Sequence, residues 1–355
     1  MGGPSDPPEG PPEGASAGGE DEYRSVVFDE SFVRAARLQE FSARERITDH
    51  APAVRRLPPL RRGLPRQALL LVVLIALAFG TALYMGVRDP YETRAARLRA
   101  DPLRTTVVPL APPGRVPGAA DVEQLYAHSP AAAFRAGAAG VPLPPARSTA
   151  HFADEQVMSA LTTAQSYVVR SALDPEVLVG GETRSVRVLL DPEQLAQFDE
   201  SLASPAADGH HAVTGWLVRL DPSRAALAAS EIRVRGSLRV VESDSATLEV
   251  VADHTVVYPL RPAGDDRAEA SLFTVRRELH FRFDRDDLRL RQARLTLSYV
   301  QAGPLSCAED SAGYLRPLLA GQTAKEGGPA GTDPYTSESA TALCGSLAGG
   351  AQPTP

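Results

Sequence analysis

The stretch from Ala68 to Val87, ALLLVVLIALAFGTALYMGV, constrains this chain more than any other. It carries no charged residue, and a helix of that length covers about 30 Å, the thickness of a bilayer's hydrocarbon core. The expectation is one transmembrane helix over 68–87, with a polar segment before it and a linker and one folded domain after it. The run is too long for the apolar region of a secretory signal peptide, and sixty-seven residues precede it. Ala78, Ala82 and Gly86 fall on one helical stripe of small residues, which raises pairing of two such helices, a homodimer, as one reading.

The flanks set the expected orientation. Residues 1–20 contain PPEGPPEG and small or acidic residues with little to bury, the composition of a disordered tail. Within it GASAG matches the G-x-S-x-G pattern of serine hydrolases. It lacks the strand and helix that the motif needs, so it reads as chance. Residues 21–67 form a cytoplasmic segment with short helices. Asp29 suits an N-cap, and Ser42 with Glu45 makes an S-x-x-E capping pattern. Residues 28–47 fit either a helix lying on the membrane surface or a docking segment for a cytosolic or envelope protein. Arg55, Arg56, Arg61, Arg62 and Arg66 precede the apolar run without an acid among them, and Arg88, Arg94, Arg97 and Arg99 follow it. Five against four favours a cytoplasmic N-terminus and an extracytoplasmic C-terminal domain by a narrow margin.

Composition narrows the classes. The 31 prolines and 28 glycines gather outside the central part of the 355 residues and leave core patterning for one sizeable domain. A net charge of −7 points away from a nucleic-acid partner. Lys325 is the sole lysine and asparagine is absent, which reads as codon bias. The arginine excess is therefore no sign of selection for phosphate binding.

Residues 88–148 are expected to be a stalk and a Pro/Ala-rich linker. The domain follows over 149–303. Val157, Leu161, Ala164 and Val168 define a helical face, and Asp191 with Pro192 starts a second helix whose Leu195, Phe198 and Leu202 face one way. Ser185–Leu190 reads as extended, and HAVTGWLVRL as strand-like around the only tryptophan, Trp216. From Glu231 the period becomes two. Ile232, Val234, Leu238 and Val240 alternate with polar residues, Thr247–Leu260 is a second strand, and Leu279, Phe281 and Phe283 mark a third. Asp284–Asp287 reads as a turn, and a fourth strand from Leu288 slips phase by one, as a bulge does. The expected fold class is α+β, with two or more helices packed on a curved four-stranded antiparallel sheet, a cone of cystatin-like or nuclear-transport-factor-like shape.

Cys307 and Cys344 bracket the loop-rich tail, 304–355. They are too sparse for a zinc site. One disulfide, stabilising by about 3–4 kcal/mol in an oxidising compartment, competes with two separate buried thiols.

The motifs FDESFVRAARLQEFSARERI, SALDPEVL, LLDPEQLAQFDES, ADGHHAVTGWLVR, SLFTVRRELHFRFDRDDLRL and SYVQAGPLSC with GYLRPLLAGQ resemble a group of uncharacterised actinobacterial single-pass membrane proteins. The resemblance implies an envelope location and carries no activity or site residues.

Chemistry is sparse. Adjacent His210 and His211 lack further ligands for a metal, so neither a metal nor a cofactor is expected. Asp253 and His254 project to opposite faces of their strand, which disfavours a dyad. His280 alternates with arginines on the polar face. Arg233, Arg235, Arg239, Arg276 and Arg282, with Arg289 and Arg291, fall at or near polar-face positions. They form either a solvated face balanced by Glu242, Glu249 and Glu278, or a patch for anionic envelope polymers or lipid headgroups. The expected function is binding or scaffolding at the cell envelope. The alternative is a hydrolase-like envelope enzyme using the sheet's concavity, with Asp253 or His254 as base.

Overall fold

A computed structural model describes residues 66–88, 101–324, 328–329, 331–338, 340 and 342–354. The tail over 1–20, the short helices over 21–50 and the arginine cluster before the apolar run lie outside the described residues. The chain divides into two units, Met1–Tyr84 and Met85–Pro355.

Helix α1, Arg66–Arg88, forms over the apolar run. The side chains described in it, from 70 to 81, are exposed, with Leu70, Leu74, Leu77 and Phe79 turned outward. Among the described residues no helix is long and apolar enough to cross a membrane, so the expected transmembrane helix is corrected on this point. The stripe of Ala78, Ala82 and Gly86 lies partly outside the described side chains.

The second unit is built on an eight-stranded mixed sheet in the order β2-β4-β5-β6-β7-β1-β8, with β3 paired to β5. The strands are β1 Arg104–Ala111, β2 Arg135–Ala136, β3 Ala225–Leu227, β4 Arg233–Asp244, β5 Thr247–Pro262, β6 Ser271–Phe283, β7 Arg294–Gly303 and β8 Gly345–Ser346. This overturns the four-stranded antiparallel cone. The long strands β4 to β7 are antiparallel, but β1 joins β7 in parallel and β8 joins β1 in parallel.

Proline hid β1 in the sequence. RTTVVPLA sits in the segment expected to be a linker, yet Thr106↔Tyr299 and Val108↔Gln301 are in register with β7. Pro109 is tolerated because a proline without an N–H fits an edge that makes no ladder bond there. The rest of 104–148 is folded as well. Helix α2, Val122–Ala127, and a 3₁₀ turn at Pro130–Ala133 bury Leu125, Tyr126, Ala131 and Phe134 against Val257 and Leu272. The "linker" thus covers one end of the sheet's outer face.

The main core lies on the other face. Helix α3, Asp154–Leu173, buries Val157, Leu161, Ala164, Tyr167 and Val168. Ala153 has no side chain to cap it, and the Gln156 side chain accepts the Ala153 N–H instead. Short helices α4 (Pro175–Leu178) and α5 (Arg184–Arg187) follow, the latter where an extended piece was expected. Asp191 caps a 3₁₀ turn at Pro192–Gln194 that leads into α6, Leu195–Ala203, with Phe198 buried. Strand-like HAVTGWLVRL contains instead α7, Val213–Trp216. Trp216 is buried edge-on to Phe198, with its Nε1 donating to Ser201 Oγ. Local alternation was outweighed there by a large aromatic seeking the core.

The expected turn at Asp284–Asp287 starts α8, Arg285–Leu290. Asp284 Oδ1 accepts from the N–H groups of Asp286 and Asp287, and Asp287 Oδ2 accepts from the Asp284 N–H, a reciprocal capping box. Arg291, at φ 54°, ends the helix in the left-handed region. Leu288 and Leu290 therefore belong to a helix. The sheet does hold a bulge: His280 pairs Leu297 while Phe281 pairs Leu295, which leaves Thr296 extra. After it the inward set shifts to Ser298, Val300 and Ala302.

Cys307 and Cys344 form a disulfide, 37 residues apart. It ties the tail to the sheet close to β8. Loop-closure entropy assigns such a bond about 4 kcal/mol. Replacing both cysteines by serine should lower stability in urea by roughly that amount, and a loss under ~1 kcal/mol would contradict it.

Candidate functional site

The outer face of the sheet gathers most of the polar side chains singled out in the sequence. Odd positions of β4 and β5 and even positions of β6 share that face, because successive strand residues alternate sides. Ser237 stands opposite Asp253, Thr255 opposite Arg276, and Asp253 opposite Glu278.

An ion-pair chain runs across it. Arg276, with its side chain 2% exposed, donates from Nε and Nη2 to both oxygens of Asp253, at 2.9 and 2.8 Å. Such a bidentate pair fixes the guanidinium plane. Arg276 also lies 3.8 Å from Glu278, whose other oxygen is 3.0 Å from His280 Nε2. His280 Nδ1 meets Glu249 at 2.8 Å. His280 is therefore engaged on both ring nitrogens rather than simply solvated.

A strap from the tail crosses this face. The Glu338 carbonyl accepts from Arg276 Nη1 and Gln301 Nε2, and the Pro334 carbonyl accepts from Thr255. Tyr335 shares a hydrogen bond with Thr274 and packs edge-on to Phe134 at 5.8 Å. Between strap and strands lies a cavity of about 490 Å³. Arg235, Ser237, Asp253, Arg276, Tyr335 and Ser337 are among its walls.

The five arginines thus divide. Arg276 is locked inside the ion-pair chain. Arg233 lies over the Tyr126 ring and is held by Glu123 and Glu231 at 2.9 and 3.0 Å. Arg282 stands at the far end of the face, 3.9 Å from Asp101. Arg235 and Arg239 are exposed, and neither has an ion-pair partner among the described residues. The Arg235 guanidinium sits 5.3 Å above the Phe134 ring. Of the flanking pair, Arg289 meets Asp286 on α8, and Arg291 is the left-handed residue after it.

Asp253 and His254 do project to opposite faces. Both Asp253 oxygens accept from Arg276, so the carboxylate is engaged in a bidentate ion pair rather than aimed at a histidine. His254 enters the core beneath Gly236, where a Cβ would stand 2.3 Å from the imidazole. Its two ring nitrogens have no hydrogen-bond partner among the described residues. Beside it is a cavity of only about 10 Å³, walled by Val168, Ala172, Val256, Arg277 and Leu279.

Arg277, directly opposite His254, is the residue the sequence reading passed over. It lies in phase with inward Val275 and Leu279, a signal that was present. Its guanidinium is buried and donates to Ser171 Oγ and to the carbonyls of Gly215 and Trp216, with no carboxylate partner among the described residues. Burial lowers the Arg277 pKa. Burial first, and then the Arg277 charge, push His254 down to about 4.

His210 and His211 do not converge. His210 Nδ1 is 2.9 Å from the Leu103 carbonyl, while His211 Nδ1 is 2.6 Å from Asp208. Among the described residues no three His, Cys, Asp or Glu side chains are placed to hold a metal ion. No protein-family model, curated protein or solved structure matches the chain. The resemblance to actinobacterial membrane proteins rests on the quoted motifs alone.

The buried histidine makes a sharp expectation. Its folded pKa lies below the unfolded value of about 6.5, so between about pH 6.5 and 4 the unfolded chain binds the extra proton and stability falls as pH falls. Asp287 acts oppositely: burial raises it to about 7, so its contribution is present at low pH and lost on raising pH through 7. The comparison of variants isolates the histidine. His254→Leu, close in volume and without orphaned nitrogens, should match or exceed wild-type stability at neutral pH. Its advantage should grow by up to about 3 kcal/mol as pH falls to about 4. An advantage that stays constant over this range in denaturant titrations would contradict the assignment.

Proposed function

We propose that the folded unit is a binding or scaffolding module of the cell envelope, and that the strapped outer face holds a carboxylate or phosphate group of an anionic envelope polymer or lipid headgroup. Arg235 carries the reading. It is an exposed guanidinium stacked on an aromatic ring at the wall of a 490 Å³ polar cavity, with no acid of its own among the described residues. A guanidinium held in this way is ready to accept a bidentate anion without first breaking an ion pair. Ser237 and Ser337 supply hydroxyls on neighbouring walls.

The disulfide supports a location in an oxidising compartment, because such bonds do not persist where thiol reductants prevail. The exposed leucines, valines and Phe79 of α1 favour attachment to a lipid surface, since a run this apolar is costly in water. The sheet unit then lies outside the cytosol. The locked carboxylate of Asp253 and the walled ring of His254 give the hydrolase alternative no support.

Purified anionic wall polymer and vesicles of anionic lipid are the probes. Reversing Arg235 and Arg239 to glutamate should weaken binding by at least about tenfold, or ~1.4 kcal/mol. Arg282→Glu, at the far end, should change it little. Equal binding by the double variant, or a dominant effect of Arg282, would sink the reading.

A further inference from the structure

Strand β1 has one side paired with β7 over Arg104–Pro109, but β8 meets its other side only at Leu110 and Ala111. Parity shows which backbone groups look outward. Thr105 N–H donates to the Gly209 carbonyl at 2.7 Å, and the Ala111 carbonyl accepts from Leu347 N–H at 2.8 Å. In a parallel ladder alternate residues address the same neighbour. Val107 and Pro109, lying between those two, therefore turn their backbone groups away from β7 as well. Pro109 has no N–H, so among the described residues the open stretch offers the Val107 N–H with the carbonyls of Thr105, Val107 and Pro109.

A groove of about 400 Å³ follows this stretch. Its walls include Ala207, Gly209 and Ala212 on one loop and Glu309, Asp310 and Ala312 on another, with exposed Leu343 also lining it. Both loops are fixed. Asp208 Oδ1 accepts from the N–H groups of His210 and His211, and His210 Nδ1 meets the Leu103 carbonyl. Across the groove, Thr214 donates to the Ser311 carbonyl and Arg316 to that of Asp310. The groove is preformed rather than opened by a ligand.

We infer that this groove is a docking site for a short extended peptide segment of a partner protein, which adds as a strand to β1 and places one basic side chain beside Asp310. Unused ladder groups select extended main chain. The floor of alanines, Val107 and Leu343 takes small or branched apolar side chains on alternate positions. Glu309 is already engaged by Arg224, whereas the exposed Asp310 carboxylate holds only the Ala312 N–H among the described residues, which sets the charge of the guest. A second copy of this chain is a poor occupant, because its own β1 is recessed between the same two loops. The site is separate from the strapped face and does not rest on the proposed function.

The test uses the full chain and a fluorescent peptide of alternating valine and serine with one central arginine. Its twin is N-methylated on alternate amides, which keeps charge and side chains but removes strand pairing. The parent should bind, the twin at least about tenfold more weakly. Binding should slow hydrogen exchange at the Val107 amide. Val107→Pro should abolish it, and Ala207→Trp, which fills the groove from an exposed rim without touching β1, should do the same in a chain that melts as wild type does. No binding by the parent, equal binding by the twin, or binding that survives Ala207→Trp would each overturn the proposal. So would self-association through β1 in sedimentation.

Discussion

One buried guanidinium joins the layers of this molecule. Arg277 projects from β6 into the core and donates to Ser171 in the last turn of α3 and to the two carbonyls at the end of α7. Ser298 on β7 donates to the same Gly215 carbonyl, and Tyr167 on α3 to that of Trp216. Sheet, long helix and short helix thus meet where both terminal nitrogens of Arg277 are answered by a hydroxyl and two carbonyls. A charge this deep costs several kcal/mol unless its hydrogen bonds are met. Helix ends supply that partnership through unpaired carbonyls and their negative dipole end. The geometry explains why α7 interrupts a segment that alternates like a strand: its carbonyls are needed there.

The opposite face obeys the same rule with another result. Arg276, one residue along, is matched by Asp253 and by the strap's Glu338 carbonyl, so the strap is held to the sheet by groups that would otherwise be unsatisfied. The disulfide limits how far that strap can depart. What remains over beside the cavity is Arg235. The proposed anion site rests on the contrast between two arginines consumed by structure, Arg233 and Arg276, and one left beside a cavity.

Much of the core was legible in the sequence. Period-two alternation marks β4 to β6, and Val157, Leu161, Ala164 and Val168 mark the buried side of α3. The sheet's true width was not legible, because β1 is short, carries Pro109 and pairs with a strand nearly two hundred positions away. Local patterning holds no record of such a partner. DRDDL at 284–288 is as good a capping box as a turn, and only the buried Leu288 decides between them. For the candidate site, the outward arginines were identifiable by parity, but which were neutralised was not. Glu123, Asp253 and Glu338 reach them from distant segments. The disulfide was readable as one of two options, and the structure selects it.

The proposed envelope role requires the strapped, disulfide-closed sheet to lie outside the reducing cytosol. The direct measurement is the thiol state of Cys307 and Cys344 in intact cells, using a membrane-impermeant alkylating reagent with and without prior reduction. Labelling that appears only after reduction, without lysis, is the expected result, and it places both the bond and the sheet unit outside. Free thiols reached only after lysis would put the unit in the cytosol and contradict the envelope reading.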